Sequence, residues 1–304
     1  MKYDIAYLTR KLAVGERFVE KVCRISDVLY EISLQDFLYK RLALYGGSAL
    51  NLIYFKDIPR LSVDLDFNYR QLGSEDWGNV RNEIDNRLKI ILKDVGYSDI
   101  AIQPTYSLLR METFYKNMSG ARDSFKIEIG YMRRIPVLRN DAVNKFIHIG
   151  REECFPILTP QKEELFANKH CTMLYRGSGR DLFDAYQITK QDMNLELFRK
   201  CLVIDSLMGR GLKLHEIDIA DTIDAIRIDE NLKTLLRKRD MPEELKNEVM
   251  IFTAKVIQTI ESKEKDVINN FYDKKSFTPE LIGKEVFHPR IREHPAIKWA
   301  LQNL

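Results

Sequence analysis

The chain has 304 residues, 45% apolar and 31% charged, with 48 basic and 45 acidic side chains and a formal charge of +3. That length supports two packed units, and the composition excludes a disordered or low-complexity protein. So small a positive excess does not by itself mark a nucleic-acid binder, though local basic patches remain open.

The first residues, "MKYDIAYLTRKLAVGERF", carry charges throughout and lack the continuous apolar segment of a secretory signal. No stretch approaches the roughly 18 apolar residues of a membrane span, so a cytoplasmic protein with no membrane partner is expected. Phe18, Val19, Val22, Ile25, Val28 and Leu29 recur at helical spacing, and "LQDFLYKRL" continues as helix or opens a second one. A short strand from Leu42 to Tyr45 is broken by Gly46 and Gly47, after which Ala49, Leu50, Leu52 and Ile53 resume as helix. The next strand is Ser62 to Tyr69.

A long amphipathic helix is predicted from Asp76 to Val95, with Val80, Ile84, Leu88, Ile91, Leu92 and Val95 on its buried stripe and Gly96 as its stop. "YSLLRMETFY" and "SFKIEIGYM" read as strands joined by the hairpin connection "KNMSGARD". Prolines 156 and 160 punctuate the chain between Arg151 and Pro160, and the remainder is mostly helical. The spacing predicts helices over Pro160 to Tyr175, Asp181 to Thr189, Leu195 to Met208, Met241 to Ile260 and Arg290 to Leu301, with "SKEKD" and "KKSFTPE" as connections. Cys23, Cys154, Cys171 and Cys201 form no CxxC pair and read as reduced core residues.

Three constellations carry chemistry. Strand alternation sends Val63, Leu65 and Phe67 inward and leaves Ser62, Asp64, Asp66 and Asn68 on the other face. The two carboxylates repel unless a counter-charge is supplied, which a divalent cation does through oxygen ligands; the alternative is a solvated strand face. Gly46 and Gly47 allow close approach to the backbone, and Ser48 opens a helix whose free amides favour a phosphate, unless the three are an ordinary turn and N-cap. Glu128, in the alternating "FKIEIGY", is the third acidic candidate: a metal ligand, the acceptor of a hydroxyl proton, or one half of an edge ion pair.

The last constellation lies in "TPQKEELFANKHCTMLYRGSGRDLFDAYQI". Thr159 and Pro160 read as N-cap and first helical residue, Gly177 as the stop, and "GSG" as the turn into a second helix. Lys169 would neutralise a triphosphate, Asp184 would hold Lys169 or a metal-bound water, and Arg180 would lie near the phosphates; on spacing alone, surface ion pairs such as Arg180 with Asp184 explain the same residues. His148, His170, His215, His288 and His294 show no ligand spacing. The basic runs "YMRRIPVLR" and "LLRKRD" read as solvated faces or contacts to an RNA backbone.

"YGGSALNLIY", "RLSVDLDF" and "ELFANKHCTMLYRGSGRDLFDAY" together resemble the AbiEii/MenT toxin-type nucleotidyltransferases of bacterial type IV toxin-antitoxin and phage-defence pairs. The resemblance spans Tyr45 to Tyr186. It implies an α+β fold: a polymerase-beta-like nucleotidyltransferase core with mixed sheet and flanking helices over 1–155, then a mostly helical domain over 156–304 that contributes Lys169 and Asp184. By position it assigns Ser48, Asp64, Asp66, Lys169 and Asp184 to the active site, with the aspartate pair holding magnesium and the glycine turn gripping the phosphates. Asp181 falls inside the matched RDxxD pattern, and Arg60 precedes the aspartates as an arginine commonly does there. The implied activity is transfer of a nucleoside monophosphate from a nucleoside triphosphate to an acceptor hydroxyl, with the 3′ end of tRNA as leading acceptor and an antitoxin as partner. A protein or small-molecule acceptor, or a nucleotide-binding module without turnover, are the alternatives.

Overall fold

Five strands build the sheet of the first unit: β1 (Leu42–Tyr45), β2 (Leu65–Tyr69), β3 (Asp99–Pro104), β4 (Leu108–Lys116) and β5 (Arg122–Gly130), in the spatial order β1-β2-β5-β4-β3. β2 and β5 run parallel and every other pairing is antiparallel, so the sheet is mixed. The computed structural model describes residues 3–151, 153–209, 212–228, 230–237 and 241–304. The chain divides into two units, the first made of Met1–Arg134, Ala142–Thr159 and Thr234–Arg239, the second of Ile135–Asp141, Pro160–Lys233 and Asp240–Leu304.

Alternation decides which face of the sheet is buried. Leu65, Phe67, Leu109, Met111, Ile127 and Ile129 are all at most 2% exposed, while Asp66, Arg110 and Glu128 are only partly covered. The helix Glu16–Leu34 contributes Val22, Ile25, Val28 and Leu29 to the core. Helix Trp77–Asp94 buries Ile84, Leu88, Ile91 and Leu92, and the Asp76 carboxylate caps it by accepting from the Gly78 amide at 2.9 Å. The predicted hairpin between β4 and β5 closes through Asn117 N–H to the Ala121 carbonyl at 2.9 Å.

Local hydrogen bonding shifts two expected boundaries. The strand expected from Ser62 starts at Leu65, because Asp64 is held differently: its Oδ1 accepts from the Lys126 amide at 3.1 Å and its carbonyl accepts from the Ser48 hydroxyl. The punctuation read at Arg151 to Pro160 contains β7 (Cys154–Thr159), paired antiparallel with β6 (Ala142–Ile147). Pro156 is tolerated there because it faces solvent in a two-stranded ribbon, where its missing N–H costs little. Cys154 is exposed rather than in the core; the other three cysteines are buried, and all four are free thiols.

The second unit is helical, with Lys162–Arg176, Gly179–Thr189, Leu195–Ser206, Leu245–Gln258, Ser262–Lys274 and Pro295–Gln302 as its longer helices. The first begins after Gln161 rather than at Pro160. Thr159 ends β7 instead, its hydroxyl 2.9 Å from Tyr54 Oη and 2.8 Å from Asn144 Nδ2. "SKEKD", expected as a connection, opens the helix Ser262–Lys274, where Glu261 and Glu264 form a reciprocal cap. Lys238, Arg239 and Asp240 of the basic run "LLRKRD" lie outside the described residues.

His170 packs rather than binds. It is fully buried, with Nε2 2.8 Å from Thr253 Oγ1 and the rings of Phe198 and Phe252 edge-on to it. Burial lowers its pKa from 6.5 to about 4, which keeps the ring neutral in the native state. The unfolded chain therefore takes up a proton first as pH falls: the stability from this site is complete above about pH 6.5 and declines towards pH 4, by roughly 3 kcal/mol in all. Urea unfolding of wild type and His170→Gln across that range should show this excess slope in wild type only.

Candidate active site

β1 ends at Tyr45 in extended backbone, and Gly46 turns the chain into the helix Gly46–Ala49, which continues as a wider turn over Leu50–Tyr54. Gly46 has φ +63°, and a Cβ there would collide with Asp66 Oδ2 and stand 3.1 Å from its Cγ. Both facts require glycine: the backbone is left-handed, and the Asp66 carboxylate lies directly against it. At Gly47 a Cβ would meet Arg60 Nη2 at 2.7 Å and Ser62 Oγ at 3.0 Å, so this glycine makes room for a buried guanidinium. Gly73 also has positive φ, +58°, but open space around it. Gly46→Ala should therefore lose about 1–2 kcal/mol of backbone energy plus a further 1–3 kcal/mol from the collision, and Gly73→Ala the backbone part alone, as read from urea unfolding.

The register puts Tyr45, Asp66, Glu128 and Arg110 in one row across β1, β2, β5 and β4. Directly paired residues share a face, so Asp66 and Glu128 are neighbours on the polar side. Asp64, at the mouth of β2, is tied to the turn through Ser48, whose buried hydroxyl donates to the Asp64 carbonyl. Ser48 thus links the glycine turn to the aspartates through its side chain. Arg60 is 4% exposed and reaches the Leu61 carbonyl at 3.2 Å. It is flanked by Leu235 and Leu236: the Leu61 amide donates to the Leu235 carbonyl at 2.9 Å, and Arg60 and Leu236 form an antiparallel bridge.

In the second unit, Gly177 at φ +60° stops the helix Lys162–Arg176, and Ser178 caps Gly179–Thr189 by accepting from the Asp181 amide. The two helices meet around Lys169, whose Nζ lies 2.7 Å from Asp181 Oδ1 and 2.9 Å from Asp184 Oδ2. Both aspartates are fully buried and Lys169 is 8% exposed. The ion pairs favoured by spacing are therefore interior ones, and Asp184 pairs with Lys169; Arg180 stands exposed. Asp181 also receives Arg176 at 2.8 and 2.9 Å and the Ser178 hydroxyl at 2.5 Å. Burial works to raise its pKa, but Lys169, Ser178 and Arg176 together outweigh that and hold the carboxyl below its usual range. The spacing of Asp181 and Asp184, one turn apart on one helix, was the signal that both could reach a single site, and both meet Lys169.

The model of the family described as "Nucleotidyl transferase AbiEii toxin, Type IV TA system" matches residues 27–267. The chain belongs to the AbiEii nucleotidyltransferase toxin family. Its fold is similar to that of MenT4, a nucleotidyltransferase toxin from Mycobacterium tuberculosis H37Rv, with a TM-score of 0.61 over 99% of this chain and 98% of that one at 16% sequence identity. No curated protein matches the chain. AbiEii membership implies a nucleoside triphosphate substrate and an antitoxin partner. Among the described residues, no helix is long and apolar enough to cross a membrane.

Nucleotidyltransferases generally use divalent metal ions, and the AbiEii residues can be tested for such a group. Hard cations take oxygen ligands. Asp64 and Asp66 are partly exposed carboxylates beside the glycine turn and fit that demand as a pair. The described residues hold no cluster of three or more His, Cys, Asp or Glu side chains suited to a metal. Glu128, expected as a third ligand, has its Oε1 2.6 Å from Arg110 Nε. Its charge is already answered by a guanidinium across the strand.

Proposed function

We propose that this AbiEii-family chain transfers a nucleoside monophosphate from a nucleoside triphosphate to the 3′-terminal hydroxyl of tRNA, blocking aminoacylation. The observation that carries the reading is the contact between the left-handed Gly46 and the Asp66 carboxylate. It joins the first turn of a helix, where backbone amides have no partner within the helix, to a carboxylate pair, as a reaction at a phosphate needs.

In this reading the amides of Gly46, Gly47 and Ser48 receive the phosphates, Ser48 fixes the main chain of Asp64, and Arg60 braces the turn from beneath Gly47. Asp64 and Asp66 would hold magnesium, which when bound supplies positive charge to the phosphate oxygens. The acceptor oxygen forms a bond to the α-phosphorus as the bond to the bridging oxygen of the β-phosphate breaks, and pyrophosphate departs with that electron pair. Glu128, in the same row as Asp66, takes the hydroxyl proton, and Arg110 orients it. Lys169, with its ammonium fixed by Asp181 and Asp184, is assigned to the same reaction as a neutraliser of phosphate charge, and Arg180 to the phosphates as a solvent-facing cation.

The test is incubation of the purified protein with each α-labelled triphosphate, magnesium and total tRNA, followed by nuclease mapping of the label. Label at the tRNA 3′ end is expected, with Glu128→Gln slowed about 10²-fold or more. Label recovered only on protein, or nowhere, would rule the tRNA acceptor out.

A further inference from the structure

The basic run "YMRRIPVLR" has no role in the reaction above, yet its first four residues join an ordered set of aromatic rings and guanidinium groups in the first unit. Beyond the end of β5, the Tyr131 amide donates to the Ser107 carbonyl at 2.9 Å, which brings the turn before β4 alongside Tyr131 to Arg134. Trp77 stands edge-on to Tyr106, with centroids 5.5 Å apart at 88°, and 6.3 Å from Tyr131. Arg134 lies over the Trp77 ring at 4.6 Å, and Arg81 over the Tyr131 ring at 4.4 Å. Arg81 also donates to the carbonyls of Tyr106 at 3.0 Å and Thr105 at 2.5 Å. Arg133 is 6.0 Å from the ring centroid of Tyr45, the residue that precedes the Gly46 turn.

Tyr106 is 68% exposed, so core packing does not explain it. Its ring is nonetheless held, by Trp77 on one side and by Arg81 through the main chain. An ordered, solvent-facing aromatic ring among guanidinium groups suits an unpaired nucleic-acid strand: bases stack on the ring, and phosphates meet the arginines. We propose that Tyr106, Trp77, Arg81, Arg133 and Arg134 form the binding surface for the single-stranded 3′ end of an RNA acceptor, leading it towards the Gly46 turn through Tyr45. This rests on the reading that the acceptor is an RNA. An acidic protein segment would match the charge but leaves the exposed ring of Tyr106 without a function.

The chain has two tryptophans, so Trp299→Phe leaves Trp77 as the sole indole reporter. Titrating that full-length variant with a single-stranded oligoribonucleotide of eight residues, in the absence of triphosphate, should quench Trp77 emission. Fluorescence anisotropy with the labelled oligonucleotide should show binding weakened about ten-fold or more by Tyr106→Ala and by Arg134→Gln, and retained by Tyr106→Phe. Triphosphate affinity, measured by equilibrium dialysis, should be the same in all of these. The proposal is overturned by oligonucleotide binding that is undiminished in Tyr106→Ala and Arg134→Gln, by unaltered Trp77 emission on saturation, or by an acidic peptide binding where the RNA does not. Because no triphosphate is present, this surface can fail while nucleotidyl transfer to another acceptor persists, and it can stand while transfer fails.

Discussion

Asp64→Asn and Asp66→Asn each reduce nucleotidyl transfer by about 10²–10³-fold or more, while the protein unfolds near the wild-type temperature. The two halves of this expectation come from the same geometry. Both carboxylates are partly exposed, Asp66 in β2 and Asp64 just before it, so replacing either by the isosteric amide creates no fully buried defect. Asparagine at 64 keeps an oxygen to accept the Lys126 amide, so the mouth of β2 stays in place. Transfer rates and thermal melts measured on the same preparations check both parts. Wild-type rates in both variants would remove the pair from the chemistry.

Lys169→Ala is expected to have the largest effect on stability. It leaves Asp181 and Asp184, both fully buried, facing the space of the lost ammonium. Breaking such a group from one side costs about 3–5 kcal/mol, because two buried carboxylates lose the ammonium they share. Arg176 still reaches Asp181 but is itself 61% exposed, so it compensates only in part. With Lys169 gone, taking up a proton is what removes a charge left in the interior, so acid should ease the defect: the deficit in urea unfolding should be smaller at pH 5 than at pH 8. Lys169→Met combined with Asp181→Asn and Asp184→Asn should recover most of the lost stability but none of the transfer activity. A triple variant that regains both would make the lysine cluster purely structural.

What could be read from the sequence was local. An apolar stripe repeating every three to four residues and Gly96 as its stop specify a helix from within their own segment, and the structure has it as Trp77–Asp94, with Asp76 as its cap and Gly96 at φ +97°. The Gly46 turn was legible for the same reason, since a left-handed residue between strand and helix calls for glycine. β3 escaped notice because it is an edge strand with mostly exposed residues and so lacks an alternating pattern. β7 was hidden by Pro156, which ordinarily argues against a strand. The bond from Asp64 to the Lys126 amide joins residues 62 apart, and the segment beside Arg60 arrives from Leu235 and Leu236. Neither contact leaves a trace in spacing. Lys169 shares a helical stripe with Thr172 and Arg176, which suggests a solvated face; its burial comes from the helix Gly179–Thr189 laid across it. Family resemblance supplied the importance of that lysine, and the structure supplied its two partners.

The most direct measurement is a crystal structure of the protein grown with manganese and a triphosphate analogue that resists cleavage between the α and β phosphates, with anomalous scattering used to locate the metal. The proposed chemistry predicts an anomalous peak at the Asp64 and Asp66 carboxylates and triphosphate oxygens against the amides of Gly46 to Ser48. Manganese and nucleotide both bound away from these residues would contradict it.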